Sequence, residues 1–216
     1  MKTFIQKYKH AWVFVYALIY FPWFMYLEKT ITNDYHIIHI ALDDKIPFIE
    51  FFIIPYLMWF GFVAFAGLYF FFINKNDFYK MVIFTVIGMT LFLIISSIYP
   101  NGQNLRPTEF ARDNIFVDLV KNLYQGDTPT NIFPSIHAYN SIAVYIAVRN
   151  SQDLREKRFV QISTFTLTLL IILSTVFLKQ HSVVDIIGAI VLAIPAYHLA
   201  YRVEWKWSQT YSKITT

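Results

Sequence analysis

Long, unbroken apolar runs constrain this chain more than any other feature. Crossing a hydrocarbon core about 30 Å thick takes about 20 residues, and about six runs of that kind can be traced. The first two are AWVFVYALIYFPWFMYL at 11–27 and IPFIEFFIIPYLMWFGFVAFAGLYFFF at 46–72. MVIFTVIGMTLFLIISSI follows at 81–98, then a more polar run through HAYNSIAVYIAV that starts at Pro134. FVQISTFTLTLLIILSTVFL at 159–178 and VVDIIGAIVLAIPAYHLAY at 183–201 complete the set. Lipid offers no partner to a backbone N–H or C=O, so a spanning segment must satisfy its own, and runs this long without alternation do so as helices. The predicted fold is therefore all-α: a polytopic membrane bundle of about six transmembrane helices, one domain over residues 1–216. Hydrophobic residues make up 56% of the chain, charged ones 15%, and mean hydropathy is +0.45, which excludes an ordinary soluble domain. There is no cysteine, so disulfide and thiolate chemistry are excluded. The first run lacks a small-residue cleavage site and reads as a retained helix.

Orientation follows from lysine and arginine near the ends of the runs. Of the 18 basic residues, about twelve fall on one side of this topology. They are Lys2, Lys7, Lys9, Lys75, Lys80, Arg149, Arg155, Lys157, Arg158, Arg202, Lys206 and Lys213. Lys29, Lys45, Arg106, Arg112, Lys121 and Lys179 fall on the other. The bias predicts both termini in the cytoplasm, with Trp12, Trp205 and Trp207 in an inner interfacial belt. The richness in aromatics and isoleucine fits a plasma membrane, specifically a bacterial inner membrane. The bilayer is the expected partner, and nucleic acid is not.

Two outer segments stand apart from the spans. HIIHIAL at 36–42 is too short to cross and reads as an interfacial helix, with His36 and His39 at i, i+3 spacing but no third metal ligand nearby. RDNIFVDLVKNLY at 112–124 predicts an amphipathic helix on the outer interface, capped by Asp113, with Ile115, Phe116, Leu119, Val120 and Leu123 on its apolar face.

Ionisable groups at membrane depth are costly and point to function. His181 and Asp185 are four residues apart, so on a helix they share a face one turn apart. There the carboxylate takes the proton of one ring nitrogen and leaves the other free as an oriented nucleophile or base. The topology brings the starts of the fourth and sixth spans to the same outer side, where His137 and His181 can face one pocket. Two histidines in opposite roles suit phosphoryl transfer, one attacking phosphorus and the other protonating the leaving alkoxide. Pro134 at a first helical turn leaves the N–H groups of Ser135, Ile136 and His137 for an anion. Arg106 adds an outer-side guanidinium suited to phosphate oxygens.

These residues resemble a family pattern, that of the type 2 phosphatidic acid phosphatases (PAP2), which share a site with vanadate-dependent haloperoxidases. Its parts are Lys, six residues, Arg-Pro; then Pro-Ser-Gly-His; then Ser-Arg, five residues, His, three residues, Asp. The chain has Tyr99, six residues, Arg106 and Pro107; Pro134, Ser135, Ile136 and His137; and Ser174, Thr175, five residues, His181, three residues, Asp185. The resemblance implies that His181 is a nucleophile forming a phosphohistidine, Asp185 its orienter and His137 the general acid. It implies phosphate contacts from Arg106, Ser135 and the backbone near Ile136, a lipid phosphate as substrate, and neither metal nor cofactor.

Tyr99 and Thr175 stand where the family has a lysine and an arginine, so the substrate-binding set loses two cations. A less cationic pocket favours a less charged phosphate. Lys179, two residues before His181, is a substitute for part of that charge, or else a snorkelling side chain. The loss resembles the His-His-Asp arrangement of sphingomyelin and inositol phosphorylceramide synthases. The leading expectation is a lipid phosphatase acting at the outer membrane face. The alternatives are a lipid phosphotransferase or phosphodiester-cleaving enzyme with the same three residues, and a non-catalytic lipid-binding or transport protein.

Overall fold

The computed structural model describes residues 8–203. Lys2, Lys7, Trp205, Lys206, Trp207 and Lys213, used above for orientation and the inner belt, lie outside the described residues. A 3₁₀ stretch, Lys9–Tyr16, runs into α1 (Ala17–Thr30), which carries Pro22 inside it. Then come β1 (His36–Ile37), α2 (Ala41–Lys45), α3 (Ile53–Ile73), α4 (Lys75–Ile98) and β2 (Asn101–Gly102). The second half holds α5 (Ile115–Gly126), α6 (Ile136–Asn150), α7 (Arg158–Phe177) and α8 (Val183–Tyr197), which ends in a π-turn, His198–Arg202.

Five segments are long and apolar enough to cross a membrane: Lys9–Thr30, Glu50–Ile73, Lys75–Ile98, Arg158–Phe177 and Val183–Arg202. The protein is a multi-pass helical bundle. The remaining run is the exception, because α6 has 15 residues and is only about 22 Å long. It survives at that length because it is central, packed against α7, α4, α8 and α3. Ala138, Ala143 and Ala147 on α6 and Ala189, Ala193 and Ala196 on α8 are buried, and such small residues let helix backbones approach closely. Large side chains that point outward, such as Phe65 at 76% exposed and Ile98 at 79%, belong to lipid-facing surfaces.

The start of this fourth run, up to Ser135, is loop, not helix. Non-helical backbone at that depth is tolerated only where protein satisfies it. Here buried Asn101 does so: its Oδ1 accepts the N–H groups of Ile132 and Phe133 at 2.9 Å, and its carbonyl accepts Asn131 N–H at 2.7 Å. Pro134 therefore lies outside the helix. Ser135 is the N-cap, its Oγ accepting Ala138 N–H, and its own N–H is not free but bonds the Asp185 carbonyl at 3.1 Å. Only the N–H groups of Ile136 and His137 remain from the predicted trio.

Two more expectations need correction. His36 is in a short strand, parallel to Asn101–Gly102, and the helix begins only at Ala41, because the segment gains more from pairing with β2 than from lying free at an interface. His36 stacks on Tyr99, His39 bonds Asp44 at 2.8 Å, and among the described residues no group fit to hold a metal occurs. The amphipathic helix does form as α5, but its cap is Asn114, whose Oδ1 accepts the N–H groups of Phe116 and Val117. Its buried face centres on Val117 and Val120, with Phe116, Leu123 and Tyr124 packed alongside, whereas Ile115 is 69% exposed.

Candidate active site

Three connecting segments meet above the same helix ends and place the site: the α1–α3 connection, residues 99–135, and the short α7–α8 turn. The turn is tied from below, where the Thr175 carbonyl accepts the N–H groups of both Gln180 and His181 at 2.9 and 3.1 Å. Lys179 takes a left-handed backbone, φ 53°, which swings its side chain one way and Gln180 and His181 the other.

His181 Nδ1 lies 3.1 Å from Asp185 Oδ2, and that oxygen also accepts Ser182 N–H at 2.9 Å. Asp185 thus closes the capping box of α8 while fixing the ring. With Nδ1–H donating to the carboxylate, Nε2 keeps its lone pair. The His137 ring sits 5.8 Å from the His181 ring, centroid to centroid, and packs between Tyr56 at 4.7 Å and Trp59 at 4.4 Å.

Both histidines line one cavity of about 470 Å³. Its walls are apolar, from Tyr20, Phe21 and Phe24 on α1 and Tyr56, Trp59 and Phe60 on α3; its polar end holds Glu28, Asp127, Thr128, Asn131 and Gln180. Glu28 accepts hydrogen bonds from Thr128 Oγ1 and from Asn131 Nδ2, the latter at 2.7 Å.

The other predicted contacts divide. Ile136 lines the cavity beside His137. Ser135 is fully buried and occupied as the cap. Arg106 is behind the cavity wall, donating to the carbonyls of Tyr124, Asp127 and Thr128 and to Gln180 Oε1, with Asp127 Oδ2 at 3.6 Å. Burial pushes the Asp127 carboxyl above the usual carboxylate range, and the Arg106 charge opposes that shift. Thr175 is buried with its hydroxyl on the Ile172 carbonyl, and Tyr99 stacks on His36; neither lines the cavity. Lys179 points away, its ammonium on the carbonyls of Asp43 and Ile46. Neither a substitute cation nor a snorkelling side chain, it clamps the α2 segment.

Sequence reasoning missed Asp43, which is 2% exposed and accepts Ser182 Oγ–H at 2.7 Å, Val183 N–H at 2.9 Å and Ile40 N–H at 2.9 Å. A carboxylate at a helix N-terminus is favourable, but nothing in the sequence pairs residue 43 with residue 183. It also missed Gln180 and Glu28. A lone acid closing an apolar run, as in FMYLEK, was the available signal.

A model of the PAP2 superfamily matches residues 101–209, half of the chain and the part that carries His137, His181 and Asp185. No curated protein and no solved structure matches the chain. With that match lying over this geometry, the chain belongs to the PAP2 superfamily, whose members are generally phosphatases.

Proposed function

We propose that the protein cleaves a phosphate ester of a membrane lipid through a phosphohistidine on His181. The observation that carries this reading is the Asp185-held His181 ring facing His137 in a cavity with apolar walls between α1 and α3. Nε2 of His181 attacks phosphorus and forms a P–N bond while the P–O bond to the leaving group breaks. His137, protonated, gives its proton to the departing alkoxide. Water then attacks phosphorus, His137 takes a proton from it, and the P–N bond breaks to return His181. The N–H groups of Ile136 and His137 at the start of α6 face the developing charge. The cavity is at the end of the bundle opposite the loops of Lys75 and Arg155, so the bias of basic residues supports a site open to the non-cytoplasmic face.

A second reading, transfer or cleavage of a phosphodiester, is favoured by one observation: among the described residues lining the cavity there is no lysine or arginine. A monoester dianion lacks its usual counter-charge there, whereas a diester carries one charge less. The test of both is turnover of purified protein in detergent on phosphatidic acid, isoprenyl phosphates and diester lipids, wild type against His181→Ala. Turnover that vanishes in His181→Ala is the expected result; full turnover in that variant removes the nucleophile.

A further inference from the structure

The polar end of the cavity is built for a positive group. Glu28 has no lysine or arginine within ion-pair distance among the described residues, and Arg106, which interacts with it at longer range, is engaged with Asp127 and with backbone carbonyls. Glu28 nevertheless is held in place by Thr128 and Asn131, so its carboxylate is an ordered negative charge on the cavity wall that Arg106 reaches only beyond ion-pair distance.

Two unpartnered atoms sharpen the picture. Asn131 is 6% exposed and lines the cavity; its Nδ2 is committed to Glu28, which leaves its Oδ1 as an acceptor with no donor. Gln180 is 2% exposed and lines the cavity next to His181; its Oε1 is committed to Arg106, and its Nε2, near the Tyr56 hydroxyl, has no acceptor within hydrogen-bonding distance. Buried polar atoms are seldom left unpaired, and a free acceptor beside a carboxylate matches a ligand with N–H donors and positive charge. A free donor beside the nucleophile matches a ligand with phosphate oxygens.

Resting on the phosphoryl-transfer reading above, we infer that the site takes a zwitterionic phosphodiester lipid whose headgroup ends in a primary ammonium. The phosphate lies against His181 and Gln180 Nε2, and the ammonium against Glu28 and Asn131 Oδ1. A trimethylammonium group has the charge but no N–H for Asn131, and a glycerol headgroup has hydroxyls but no charge for Glu28.

The test uses full-length protein in mixed micelles with phosphatidylethanolamine, phosphatidylcholine, phosphatidylglycerol or phosphatidic acid of the same acyl chains, reading release of water-soluble product. Phosphatidylethanolamine is expected to exceed phosphatidylglycerol in kcat/KM about tenfold or more, and Glu28→Gln to lower that ratio about tenfold, the size of one lost charge-assisted contact. Thermal unfolding of Glu28→Gln checks that it folds; if it does not, the wild-type order of substrates decides alone. Equal turnover of phosphatidylcholine overturns the primary-amine assignment. Phosphatidic acid as the best His181-dependent substrate overturns the inference while leaving His181 as nucleophile. Loss of no turnover in His181→Ala overturns the underlying reading instead.

Discussion

Asp185 Oδ2 accepts two hydrogen bonds at once, from the ring of His181 at 3.1 Å and from Ser182 N–H at 2.9 Å, so one carboxylate both starts α8 and aims the His181 ring. Asp185→Asn separates the roles, since an asparagine oxygen still caps a helix but no longer carries the charge that supports the histidine. Its kcat is expected to fall about a hundredfold or more, with helicity by circular dichroism retained. A kcat within a few-fold of wild type would mean that His181 needs no carboxylate.

The second prediction concerns Asp43, whose carboxylate accepts three protein donors and is almost wholly buried. Asp43→Ala leaves Ser182 Oγ and Val183 N–H without their partner at the start of α8. The expected cost is about 3 kcal/mol, read as lowered thermal unfolding in detergent. Activity per folded molecule should also fall, because His181 is next to Ser182.

How much of this was legible in the sequence depends on the range over which residues act. Five spans were legible because each satisfies its own backbone and its apolar run declares it, whereas the run at Pro134 was legible only in part, since Asn101 satisfies its entry loop. His181 and Asp185 were legible because four residues is one helical turn. His137 needed only the topology to bring two span starts to one side. Asp43 on Val183, Arg106 on Gln180 and Glu28 on Asn131 were not legible, since each joins segments with no shared period or spacing. Lys179 misled for a local reason: its left-handed backbone reverses the direction that an extended chain would give it.

Lys179 supplies the third prediction. Lys179→Ala removes two bonds to the carbonyls of Asp43 and Ile46 and should cost about 1–2 kcal/mol of stability. KM for the phosphate lipid should stay unchanged, because the ammonium is outside the cavity. A raised KM with unchanged stability would return the lysine to the phosphate.

A fourth prediction tests how the α6 entry loop is seated. A Cβ on Gly188 would come within 2.4 Å of the Phe133 ring, two residues before the Ser135 cap. Gly188→Ala should therefore push Phe133 and the start of α6 outward, costing about 1–3 kcal/mol and lowering kcat with it. Phe133→Ala in the same chain makes room for the methyl group, so the double variant should unfold at a higher temperature than additive losses predict.

The most direct measurement is rapid quenching of the enzyme during turnover of a lipid radiolabelled at phosphorus, followed by peptide mapping. The expected result is an acid-labile, base-stable label on the peptide holding His181, absent in His181→Ala. Label on any other residue, or undiminished turnover in His181→Ala, would contradict a phosphohistidine at His181.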